Sequence, residues 1–275
     1  MHVYHLNCGT QYPYSARLVN GTGTILSSGC LVGHCLLIET QHGLILVDTG
    51  FGLKDIADPT RPGRAFVVVA RPRLDPEETA VRHVTRLGFK TQDVRHIVLT
   101  HLDMDHAGGL ADFPEAQVHL FAQEHEAAMR PTTFPERQRY RTALWAHRPK
   151  WVIHSLQGEQ WYGFDCVHVI TNDQTEVLLV PLPGHTRGHC GVAVRTPDGW
   201  LLHCGDAYLF RGEMSVDHPH STLGLEWFQR SVQVDREARL RNRARLRALV
   251  RDHDDEVRVF CAHDPVEFSR FRDID

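Results

Sequence analysis

The sequence has no hydrophobic stretch long enough to cross a membrane as a helix; its longest apolar runs, such as Val177-Leu178-Leu179-Val180, are strand-sized. The first residues, Met1-His2-Val3-Tyr4-His5, lack the basic start and apolar run of a secretory leader. The 7 cysteines are odd in number and include no Cys-x-x-Cys pair, which argues against a disulfide framework. Cys30, Cys35, Cys204 and Cys261 sit among apolar residues and read as small core residues of a reducing compartment. A cytoplasmic protein with no membrane partner is expected. Nor is there an excess of one charge. The 30 Lys and Arg against 34 Asp and Glu give a formal net charge of −4, where a dedicated nucleic-acid binder would be basic. Internal repeats and low-complexity tracts are missing too.

What is present is enough apolar material for a core. With 42% hydrophobic residues over 275 positions, one large domain spanning 1–275 is expected. Strands are expected at His34 to Glu39 and Leu44 to Val47, joined by a hairpin turn at Gln41-His42-Gly43. A loop is expected over 55–73. A helix should then start at Asp75 as N-cap with Pro76 in its first turn, bury Val81, Val84 and Leu87, and stop at Gly88. His96 to Thr100 and Gln117 to Phe121 read as strands and Ala122 to Met129 as a helix. Residues 130–165 carry prolines, arginines, Tyr140, Trp145, Trp151, Trp161 and Tyr162, and read as a partly helical insertion. It could lie over a site or form its own small apolar cluster. Strands at Glu176 to Leu182, Trp200 to Cys204 and Val257 to Cys261 follow, with an Arg-rich helix from Arg236 to Arg251 before the last. Its arginines read as a solvated face; that helix or the insertion could serve a homodimer.

Histidine is abundant, at 20 residues, and it is the commonest metal ligand. Position picks out the candidates. Four strands each end in a histidine or carboxylate: His101, His185, Asp206 and His263. Such loop ends are where scaffolds place chemistry. His101, Asp103, Asp105 and His106 fall within six residues, and carboxylates packed beside histidines call for a cation. Unrelated polar loop ends are the alternative for any one of His185, Asp206 or His263 taken alone.

Thr100-His101-Leu102-Asp103-Met104-Asp105-His106-Ala107-Gly108-Gly109 resembles the H-x-H-x-D-H signature of the metallo-β-lactamase superfamily. Asp48-Thr49-Gly50, Pro183-Gly184-His185-Thr186-Arg187-Gly188-His189, Gly205-Asp206 and Ala262-His263-Asp264 match its later motifs in order. The resemblance implies an α/β fold, an αββα sandwich with two metals at one edge. It assigns His101, Asp103 and His185 to one metal, Asp105, His106 and His263 to the other, and Asp206 to both, with Asp48 steadying the ligand loop. The departure is Asp103, where the signature has histidine. Three aspartates and a bridging hydroxide would cancel the charge of two divalent ions. The added oxygen ligand tilts the preference from zinc toward manganese, iron or cobalt.

The implied activity is hydrolysis by a metal-bridging hydroxide, with Asp105 handling a proton. The chain is most similar to the N-acyl-homoserine lactonase branch, which implies a small-molecule lactone or ester as substrate. That branch carries a tyrosine after the bridging aspartate. Tyr208 is its nearest counterpart, one residue short of the offset. Other readings are a glyoxalase II-like thioesterase, a ribonuclease of the same superfamily, a mononuclear iron redox enzyme and a non-enzymatic metal binder.

Overall fold

The computed structural model describes residues 1–172 and 175–272. Two six-stranded sheets face one another. The first holds β1 (His2–Asn7), β2 (His34–Thr40), β3 (Gly43–Val47), β4 (Val94–Val98), β5 (Gln117–Phe121) and β6 (Lys150–His154), in that spatial order. The second holds β7 (Glu159–Trp161), β8 (Phe164–Asn172), β9 (Thr175–Pro181), β10 (Cys190–Thr196), β11 (Gly199–His203) and β12 (Val257–Phe260), again in sequence order across the sheet. β1 to β3 are antiparallel, with the expected hairpin closing at Thr40 opposite Gly43, while β3 to β6 run parallel. β7 to β11 are antiparallel and β12 joins β11 in parallel.

The near-continuous apolar runs follow from burial on both faces, since successive side chains point to opposite sides of a strand. Leu36, Ile38, Ile45, Val47 and Val98 meet Val177, Leu179, Val192, Val194 and Phe260 between the sheets. Their neighbours Leu37, Leu44, Leu46, Ile97 and Leu99 pack outward beneath helical residues Ala80, Val84, Leu110 and Ala127. On the far side, Leu246 and Leu249 of the helix Arg236–His253 cover Leu178, Val180 and Leu202. This is the αββα sandwich.

Several segments differ from the expectations. The 55–73 stretch contains two short helices, Leu53–Ala57 and Arg64–Ala70. The second is rich in β-branched residues, which disfavour helix, and its N-cap Gly63 offers no side-chain acceptor, so no local signal marks it. Asp75 caps only the single 3-10 turn Pro76–Glu78; the helix proper, Ala80–Arg86, starts after Thr79, buries Val81 and Val84 and leaves Leu87 exposed. Cys30 is half-buried outside any strand, whereas Cys35, Cys204 and Cys261 are core residues. Only the front of the 130–165 stretch is cover: the helix Phe134–Arg139 and the turn Thr142–Trp145. From Lys150 onward the chain supplies an outermost strand to each sheet, β6 and β7. Tyr140 and Trp145 are buried beneath the first sheet and Trp161 outside the second, with Trp151 and Tyr162 packed against those cores. The aromatics are core.

Candidate metal centre

The ends of five strands converge. β3 delivers Asp48, β4 delivers His101, β9 leads to His185, β11 to Asp206 and β12 to His263. Asp103 begins, and Asp105 and His106 lie within, a single helical turn, Met104–Ala107, that directly follows β4's exit. Two groups of three ligand atoms lie within 4.8 Å of one another: His101, His185 and Asp206, and Asp105, His106 and His263. All six residues are buried. Asp206 spans the groups: Oδ1 lies 3.0 Å from His263 Nε2 and 3.3 Å from His106 Nε2, and Oδ2 lies 3.5 Å from His185 Nε2. Asp103 Oδ2 is 3.0 Å from His185 Nε2 and 3.5 Å from His101 Nε2, at the edge of the first group.

The histidine rings are oriented from behind. His106 Nδ1 donates to Asp48 Oδ2 at 2.8 Å and His263 Nδ1 to the Val32 carbonyl at 2.8 Å. His101 Nδ1 lies 3.0 Å from Thr100 Oγ1. Asp48 also accepts from Thr100 N and Oγ1, at 2.8 Å each, so one carboxylate fixes the whole exit of β4. With the δ nitrogens engaged, the ε nitrogens point into the cluster. His101 Nε2, His106 Nε2 and Asp206 Oδ1 are buried without a hydrogen-bond partner among the described residues. Buried polar atoms are almost always satisfied, so orphans facing into each of the two groups fit bound cations.

The electrostatics agree. Burial opposes ionisation of Asp206, yet His263, His106 and His185 hold its carboxyl well below the usual range. Burial likewise opposes the charge on His106, but Asp206 and Asp48 push its imidazole well above the ordinary value; His263 is raised in the same way by Asp206. The carboxylates thus recruit protons onto His106 and His263, while burial and the Arg139 charge hold His185 down to about 4. A divalent ion would take the place of those protons.

Asp48 meets the loop after β4 through Thr100 and His106. Tyr208 is not brought to the cluster. Its side chain is fully buried in the core outside the second sheet, and its hydroxyl donates to Glu267 at 3.1 Å. The one-residue shortfall after Asp206 turns it away from the centre.

Four supporting residues went unread in the sequence. Gln11 Nε2 donates to Asp105 Oδ2 at 2.9 Å. Arg139 Nε lies 3.5 Å from Asp103 Oδ1. Glu124, fully buried, accepts from Leu102 N and Tyr140 Oη with one oxygen and from Thr186 Oγ1 and Gly188 N with the other. His189 Nε2 accepts from Asp206 N at 2.9 Å while its Nδ1 donates to the Leu182 carbonyl. Gly205 permits that contact, since a Cβ there would lie 2.7 Å from His189 Nε2. Only His189, second histidine of a Gly-His-x-x-Gly-His run, carried a signal. The other three are far from the motifs in sequence.

The family model of the metallo-β-lactamase superfamily matches residues 28–263. This chain belongs to that superfamily. Among its members, a probable metallo-hydrolase of Mycobacterium tuberculosis is 44% identical over 271 residues, covering 98% of this chain and 83% of that protein. The N-acyl homoserine lactonase AttM of Agrobacterium fabrum is 29% identical over 238 residues, 86% of this chain and 83% of its own. In structure, an N-acyl homoserine lactone hydrolase solved with N-hexanoyl-L-homoserine at its catalytic metal centre superposes with a TM-score of 0.71 at 23% identity, covering 98% and 95% of the two chains. The dizinc quorum-quenching lactonase AidC gives a TM-score of 0.61 at 18% identity, over 96% and 87%. These solved structures share the superfamily's fold with this chain, which is a metallo-hydrolase.

Proposed function

We propose that this metallo-hydrolase is a dinuclear enzyme that opens lactones or cleaves related small esters, with N-acyl homoserine lactones as the first substrates to try. The observation that carries the reading is the pair of buried three-ligand groups joined by Asp206. The residues fit two divalent ions: His101, Asp103 and His185 would hold one, Asp105, His106 and His263 the other, and Asp206 both. Two ions so held supply Lewis acidity toward a carbonyl oxygen and an activated water at neutral pH. Within the protein, Asp105 is the proton-handling group. Gln11 holds its Oδ2 at 2.9 Å, the oxygen that also lies 3.7 Å from His263 Nε2. The buried walls around the cluster exclude bulk water and strengthen every charge interaction inside it. The oxygen added by Asp103 favours manganese, iron or cobalt beside zinc. Seven free cysteines, six of them buried, support a reducing, cytoplasmic setting.

The test is elemental analysis of the purified protein together with a hydrolysis panel of lactones, esters and thioesters, before and after chelation. Near two equivalents of metal, and lactone opening lost on chelation and restored by manganese, cobalt or zinc, is the expected result. Turnover of thioesters alone would move the thioesterase reading ahead, and a single iron with no hydrolysis would remove the hydrolytic one.

A further inference from the structure

Asp103 is the one place where the ligand signature is broken, and the structure supplies a partner for it from an unrelated part of the chain. Arg139 ends the helix Phe134–Arg139, in the segment that covers the first sheet's edge. Its Nε lies 3.5 Å from Asp103 Oδ1. Its Nη1 donates to the His185 carbonyl at 2.7 Å, and its Nη2 donates to the Val232 carbonyl. One planar guanidinium therefore joins the loop of Asp103, the loop of His185 and the end of the helix Leu223–Val232. The side chain is only 12% exposed.

The geometry divides the two oxygens of Asp103 between two tasks. Oδ1 faces Arg139, and Oδ2 faces His185 and His101 at 3.0 and 3.5 Å. The helix carrying Arg139 is itself fixed to the His185 loop. Thr133 and Glu136 form a reciprocal capping box at its start, and Glu136 pairs with Arg187, two residues beyond His185. Arg139 thus touches two of the three residues assigned to one metal and none of Asp105, His106 and His263. Those are held separately, by Gln11, Asp48 and the Val32 carbonyl.

We propose that Arg139 is a positioning residue for one metal pocket only, clamping Asp103 and the His185 backbone so that Asp103 Oδ2 serves where the family signature has a histidine. The rigid fork matters because one flat group donates two directed hydrogen bonds, to the His185 and Val232 carbonyls, while holding its charge beside Asp103 Oδ1; a lysine has the charge without the fork. The inference rests on the dinuclear reading of the centre.

Calorimetric titration of metal-stripped protein with zinc or cobalt alone tests it, comparing wild type, Arg139→Met and Arg139→Lys. Wild type takes up two equivalents; uptake of fewer than two by wild type would instead sink the dinuclear reading itself. Each variant should keep one tight equivalent and bind the second about 10- to 100-fold more weakly, the usual effect of removing a group that orients a ligand. Three results would overturn the proposal. Unchanged or tighter binding in both variants would leave Arg139 no positioning role. Parallel loss of both equivalents, with a lowered melting temperature of the metal-free protein, would make it a general packing residue. Full recovery in Arg139→Lys would assign the effect to charge and not to the clamp.

Discussion

Asp48 and Glu267 show how single carboxylates behave on the two sides of this site. Asp48 adopts a left-handed conformation, with φ of 55°, that non-glycine residues rarely take, and its three accepted hydrogen bonds offset that strain. Glu267 has the opposite problem. It is buried, accepts from Tyr208 Oη and from Cys261 N, and faces no cation among the described residues. Burial pushes its carboxyl up from 4.5 to about 7. Between those two values the folded protein keeps a proton that the unfolded chain releases, so stability falls as pH rises through that window. Above about pH 7 the loss is complete, on the order of 3 kcal/mol at ~1.4 kcal/mol per pH unit. Glu267→Gln keeps an acceptor for both donors and cannot ionise. It should therefore be more stable than wild type by roughly 2–3 kcal/mol at pH 8, on the same linkage argument, and by far less at pH 5. Urea midpoints in chelator at both pH values check this. A mutant advantage that does not change with pH would show that this carboxyl does not titrate in the window.

Elements were legible where a local pattern was written in the chain. The strands β2, β3, β5, β9, β11 and β12 carry their burial as apolar runs, and the helix Arg236–His253 its face as Leu246 and Leu249. The candidate ligands were legible because His101, His185, Asp206 and His263 follow strands, and Asp103, Asp105 and His106 crowd beside His101 in the turn that follows. What was not legible is held by long-range contact: the helix Arg64–Ala70 has no cap, and Gln11, Glu124 and Arg139 meet the centre only through the fold. Glu124 shows the cost of such contacts. It sits in the helix Ala122–Met129, and its carboxylate joins Leu102 beside His101 to Thr186 and Gly188 beside His185. Gly188 passes so close that a Cβ there would lie 2.0 Å from Glu124 N. Glu124→Ala strands two buried backbone N–H groups, at ~1–3 kcal/mol each. Together with the lost hydroxyl contacts, a destabilisation of about 4 kcal/mol is expected in denaturant melts, from the same accounting. A loss under about 1 kcal/mol would mean that water replaces the carboxylate and that the two ligand loops hold without it.

At the scale of the whole molecule, the two sheets meet in two ways. The inter-sheet core is one, with residues from both sheets interleaved. The other is the centre, and each ligand group draws on both halves. His101 follows β4 of the first sheet, while His185 and Asp206 follow β9 and β11 of the second; Asp105 and His106 follow β4, while His263 follows β12. On the proposed dinuclear reading, an ion held in either group would cross-link the sheets. Bound ions stabilise the folded state by mass action, about 2.7 kcal/mol for each site at free metal 100-fold above its Kd. At ~2–4 °C per kcal/mol for chains somewhat shorter than this one, each ion should raise the melting temperature by roughly 5–10 °C. The rise should grow with the logarithm of free metal and vanish in excess chelator. Because the link joins the two sheets, the loaded protein should melt in one transition, without one half loosening first. Equal melting temperatures in chelator and in saturating zinc, manganese or cobalt would mean that no ion joins the halves, and the buried orphan nitrogens of His101 and His106 would then need a different partner.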